Sequence, residues 1–117
     1  MEPLADLAWV KDLLNGNVVE RIRLEGFRAV ALEIDPRDER HHSQYRYRLL
    51  VFPRQENKPV LALNLETSLL GTPCLTEQTG AEHQIVADAT EEMEYAEFRR
   101  WALERALADL HTNHEPG

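Results

Sequence analysis

The sequence contains a single cysteine, Cys74, in 117 residues. An internal disulfide is therefore excluded, and with it a disulfide-stapled scaffold or a multi-cysteine zinc ribbon. No apolar run approaches the roughly 20 residues that a membrane-spanning helix needs. The opening, Met1-Glu2-Pro3-Leu4-Ala5-Asp6, is acidic and lacks the apolar core of a secretory signal. These absences point to a reducing cytoplasm and to a chain with no membrane partner.

Lysine is scarce as well. Of 13 basic residues, only Lys11 and Lys58 are lysines, and the others are arginines. Arginine favours planar carboxylate pairing and interfaces more than lysine does. The bases are unevenly placed. Residues 59–98 carry eight acids and no base, whereas residues 21–58 carry nine bases against six acids. The net charge of -8 argues against nucleic acid as a partner, because such binding rests on many phosphate-neutralising cations. The segregated halves can meet within the fold or across a two-fold axis.

Motifs with a known mechanism are also missing. There is no His-Glu-x-x-His, no Cys-x-x-Cys, no Gly-x-Ser-x-Gly and no Gly-rich phosphate loop. His41-His42 sit in a polar stretch, and His111 and His114 fall at the C-terminus. Neither pair supplies the three or four rigid ligands of a zinc site. Cys74, with His83 as base, is a poor nucleophile, since Glu77 and Glu82 lie nearby in sequence and no base does. The expectation is therefore no cofactor, no metal and no assigned catalytic residue.

What is present is a clear order of elements. Leu4, Leu7, Val10 and Leu14 recur at helical spacing, which predicts a helix over about residues 3–15, closed by Asn15-Gly16-Asn17 with Gly16 as a left-handed cap. Two-residue periodicity follows, and strands are expected within 18–87. Phe27 to Ile34 is apolar on both faces, so it reads as covered on both sides. Tyr45 to Phe52 reads as an alternation, with Tyr45 and Tyr47 on one face and Arg46 and Arg48 on the other. The last strands hold few large apolar residues and belong near an edge. Asp88-Ala89-Thr90-Glu91 matches a capping box. A second helix is then expected over about 90–111, burying Tyr95, Phe98, Ala102, Ala106 and Leu110, with a frayed tail at 112–117.

All connections are too short for parallel crossovers. The fold class is thus a single α+β domain over 1–117. It has an antiparallel sheet of five to six strands, flanked by an N-terminal helix and a longer C-terminal helix, both on one face. This layout is similar to that of small acidic α+β adaptors and secretion chaperones, and of helix-on-sheet ligand-binding domains; a shared layout does not carry a function.

Two kinds of candidate residue emerge. Trp9 and Trp101 lie at the margins of their helical faces, and Arg21, Arg23, Arg46 and Arg48 form a basic strand set; these are interaction candidates. Glu20, Glu33, Tyr45 and Tyr47 are pocket candidates, as polar groups abutting apolar alternations. The leading expectation is a non-enzymatic interaction or adaptor module acting as a homodimer, with a further protein as a possible partner. The alternative is a small-molecule binder or small enzyme with a pocket between sheet and C-terminal helix.

Overall fold

The alternating middle of the chain becomes six strands, each paired antiparallel with its neighbour in sequence. In the computed structural model, which describes residues 1–35, 44–68 and 70–114, the order is α1 (Ala8–Asn15), β1 (Asn17–Leu24), β2 (Phe27–Glu33), β3 (Tyr45–Pro53), β4 (Leu61–Thr67), β5 (Pro73–Thr79), β6 (Glu82–Asp88) and α2 (Tyr95–His114). The sheet is a meander with β1 and β6 at its two rims. Gly26 (φ 76°) and Gly80 (φ 53°) make the tight turns of the first and last hairpins, in a backbone region that side-chain-bearing residues avoid. No described helix is long and apolar enough to cross a membrane. His41 and His42 lie outside the described residues.

Strand alternation divides the core in two. Phe27, Ala29, Ala31, Tyr47, Leu49, Val51, Leu61, Leu63 and Leu65 share one sheet face with Phe98, Ala102, Ala106 and Leu110 of α2. Val30, Leu32, Leu50, Phe52 and Ala62 share the other face with Leu4 and Trp9. The fold class is the one expected, but the helices do not share a face: α1 covers one side of the sheet and α2 the other. The reason is in the strands. β2 to β4 are apolar at successive positions, so each face needs its own cover.

Both helices begin later than the periodicity predicts. Leu4 and Ala5 donate their backbone N–H groups to the carbonyls of Pro59 and Gly80, each at 2.9 Å, so residues before α1 run as an arm tied across the sheet. Asp6 Oδ1 then accepts the N–H of Ala8 at 2.9 Å and starts the helix. At the other end, Asp88 is still paired with Cys74 in β6 and cannot cap α2. A turn at Thr90 to Met93 intervenes, and the Glu94 carbonyl accepts the first helical bond, from Phe98. Gly16 is not left-handed either, having φ -80°. Its lack of a side chain serves a close approach, because a Cβ there would lie 2.6 Å from the carbonyl oxygen of Asp12.

Candidate functional site

Three features of the described residues carry chemistry. The first is a polar cluster under α1. Arg48 stands in the middle of β3, where its neighbours are buried on both faces, and is itself 1% exposed. Its Nε donates to Asn64 Oδ1 at 2.9 Å, Nη1 to Asp12 Oδ2 at 2.5 Å and Nη2 to Gln78 Oε1 at 2.6 Å. The guanidinium also lies 3.9 Å from the ring centroid of Tyr45. Asn64 Nδ2 continues the chain to Thr76 Oγ1 (3.1 Å), and the Thr76 hydroxyl donates to Glu66. Glu66 also meets His83 Nε2 at 2.6 Å and accepts from Gln44 at 2.6 Å. Every named donor here has an acceptor, which is the condition for burying such groups. Burial pushes the Tyr45 phenol up to about 12, so it stays a neutral hydroxyl.

The second feature is a pair of acid–arginine contacts holding α2 to the sheet. Glu20 of β1 accepts from Arg99 and, at 2.5 Å, from the Tyr95 hydroxyl. The Arg99 bond, then the Tyr95 bond, hold Glu20 below the usual carboxylate range. Glu77 of β5 accepts from Arg105 Nη2 at 3.2 Å and from Gln84 at 3.1 Å. A further hydrogen bond joins Glu77 to Asp109. Against the upward push of its burial, Asp109, Arg105 and Gln84 hold Glu77 low. Asp109 is pushed up to about 7 by burial first and then by Glu77, with Arg105 opposing. A folded value above the unfolded 3.8 means the folded state holds the extra proton between about pH 4 and pH 7. The stability this gives is complete below pH 4 and is lost as pH rises through 7. Asp109→Asn keeps a donor toward Glu77 and should remove that loss. We expect it to be more stable than wild type at pH 8 by about 1 kcal/mol, discounted for partial exposure. Urea denaturation at pH 5 and pH 8 measures the difference; equal effects at both would refute the assignment.

The third feature is the surface on and beside α1. The helix buries Trp9 and Asp12 and leaves Leu7, Val10 and Leu14 outside, with Leu7 63% and Leu14 78% exposed. Val18 and Val19, at the irregular start of β1, are partly exposed beside them in sequence.

The candidate residues are distributed among these features. Trp9 is not a surface contact: it sits edge-on to Phe52, centroids 5.9 Å apart, in the α1-side core. Trp101 is half-buried against Phe98 at 6.1 Å. Arg48 is buried, whereas Arg21 and Arg23 are exposed on the β1 rim. Arg46 bonds the carbonyl of Glu91 at 2.7 Å and lies over the Tyr47 ring. The pocket candidates do not converge. Tyr47 stacks on Phe98 at 5.5 Å, Tyr45 lies on the opposite face, and Glu20 is held by α2. Glu33 is exposed and lines, with Tyr45, Arg46 and Glu66, a hollow of about 610 Å³ at the strand ends. The space between sheet and α2, where the alternative reading puts a pocket, is filled by Phe98, Ala102 and Ala106.

No protein-family model, no curated protein and no solved structure matches this chain.

The Tyr45 placement corrects the expected alternation. A register irregularity between Tyr45 and Tyr47 inserts an extra residue, so Tyr45 faces Glu66 and Arg48 while Tyr47 faces α2. Sequence reasoning also missed Asp12, Asn64, Glu66 and Gln78 as members of one cluster. The available signal was the same-face spacing of Asn64 and Glu66 in β4 and of Thr76 and Gln78 in β5; Asp12, on α1, carried none. Cys74 is buried, and burial, then Glu66 and Asp88, push its thiol up, which does not suit a nucleophile. Among the described residues, no three His, Cys, Asp or Glu side chains converge to hold a metal ion.

Proposed function

We propose that this chain is a non-enzymatic protein-interaction module, acting in the cytoplasm as a homodimer with a second copy seated on α1. The observation that carries the reading is the outward stripe Leu7, Val10 and Leu14. A helix on a sheet normally turns such residues inward. Here the inward side is taken by Trp9 and by Asp12, which Arg48 requires, so the aliphatic side is left for another surface.

A second copy fits the stripe by symmetry. An antiparallel α1 pair sets Leu7 of one protomer against the partner's Leu14, with Val10 near the axis, and a two-fold interface repeats each contact. Pairing through β1 is less suited to the role. Arg21 and Arg23 would meet their own copies there, and the irregular start of β1 disrupts the edge. The acidic β6 rim and the basic β1 rim lie at opposite sides of the sheet, so the charge segregation is not cancelled between them within the chain.

Light scattering coupled to size exclusion tests this. At micromolar concentration the mass is expected to be twice 13.5 kDa, and Leu14→Glu should yield the monomer. A wild-type mass of 13.5 kDa at low and high salt would end the proposal. So would a dimer that Leu14→Glu leaves intact.

A further inference from the structure

The register of the first hairpin sets Arg23 of β1 directly across from Arg28 of β2. Like charges in direct cross-strand contact destabilise a sheet, and this chain has acids to spare. Arg21 projects to the same face, opposite Val30. Arg54 arrives from the β3–β4 connection, where its backbone N–H donates to the carbonyl of Gly26 at 3.1 Å and ties that connection to the β1–β2 turn. The four arginines line an open hollow of about 450 Å³, and no acid among the described residues lines it.

The hollow is partly preorganised. Arg28 Nη2 donates to the carbonyl of Glu56 at 2.9 Å, and its guanidinium lies 4.4 Å from the Phe52 ring centroid. The guanidinium groups of Arg21, Arg23 and Arg54 make no hydrogen bond or ion pair among the described residues. Protection of an edge strand would account for charges on β1. It does not account for Arg28 on the second strand, or for Arg54 on another connection, lining the same space.

We propose that this hollow binds a compact oligophosphate, meaning a small molecule with two or more adjacent phosphate groups. Guanidinium groups present paired N–H donors that match phosphate oxygens two at a time. A di- or triphosphate carries enough negative charge to relieve the repulsion among four cations, whereas a monoanion does not. The hollow is open, so the phosphates are recognised and the remainder of the ligand stays in solvent.

Calorimetric titration of the full chain with inorganic tripolyphosphate at low salt tests the proposal. Saturable binding of one equivalent per chain is expected. Arg23→Gln and Arg54→Gln should each weaken it about tenfold or more, as loss of a charged hydrogen-bonding group does. Arg100→Gln, on exposed α2 surface, should leave it unchanged. Citrate, similar in charge but a carboxylate, should bind at least about tenfold more weakly. Without ligand, Arg23→Gln should melt no lower than wild type, because it removes a like-charge pair. This separates a ligand site from a structural one and shows that the variant folds. Absence of saturable binding, equal affinity of Arg23→Gln and Arg100→Gln, equal affinity for citrate, or a lower melting point for ligand-free Arg23→Gln would each overturn it.

Discussion

Asp12→Ala should destabilise the protein by about 3–5 kcal/mol, the usual cost of removing one partner from a buried ion pair. Arg48 is 1% exposed, and among the described residues Asp12 is the carboxylate its guanidinium pairs with. Without that carboxylate, a full positive charge remains in a site built from Asn64 and Gln78, whose amide oxygens are weaker acceptors for it. The helix is affected too, since Asp12 is the residue by which α1 grips the sheet through a charge. The double variant Asp12→Leu with Arg48→Met decides whether charge or packing dominates. If the cost is stranded charge, the double variant should lose less than the sum of Asp12→Leu and Arg48→Met, with coupling of about 1–3 kcal/mol. Strict additivity in urea denaturation would show that the pair does not interact energetically.

The largest packing effect is expected on the opposite face. Phe98→Ala should cost about 3–5 kcal/mol. The ring is 1% exposed and stacks on Tyr47 at 5.5 Å with an interplanar angle of 29°. It is flanked by Trp101, and α2 lies chiefly over β3 and β4, so truncation leaves a cavity where helix and sheet meet. Leu107→Ala, on the outer side of the same helix, should change stability by less than about 0.5 kcal/mol. A Phe98→Ala midpoint that moves no further than the Leu107→Ala midpoint would remove Phe98 from the core.

The fold was largely legible because the sheet is a meander. Each strand pairs with the next, so local periodicity and turn residues were enough to give antiparallel order, and the buried stripe of α2 was readable from Phe98, Ala102, Ala106 and Leu110. What was not legible depended on contacts distant in sequence. Trp9 and Arg48 read as surface residues because each is ambiguous locally. Arg48 precedes Leu49-Leu50-Val51-Phe52, a run with no polar face, and that run was the sign that an arginine beside it is enclosed. The sides taken by the helices followed from the same fact. The Tyr45 irregularity leaves no compositional trace, so a two-residue period assigned Tyr45 and Tyr47 to one face. Of the candidate residues, Arg21, Arg23 and Glu33 are the exposed ones.

The arm before α1 gives the molecule a kinetic order. Hairpins between adjacent strands close short loops, and short loops cost little chain entropy to close. The arm has no such neighbour: Leu4 bonds Pro59 and Ala5 bonds Gly80, so its binding site exists only once β4 and the β5–β6 turn are in place. Asp12 likewise waits for Arg48 and Gln78, which belong to β3 and β5. The arm and α1, which precede every strand in the sequence, are thus expected to seat last, and until they do, one face of the sheet, Val30, Leu32, Leu50 and Phe52 included, stands open.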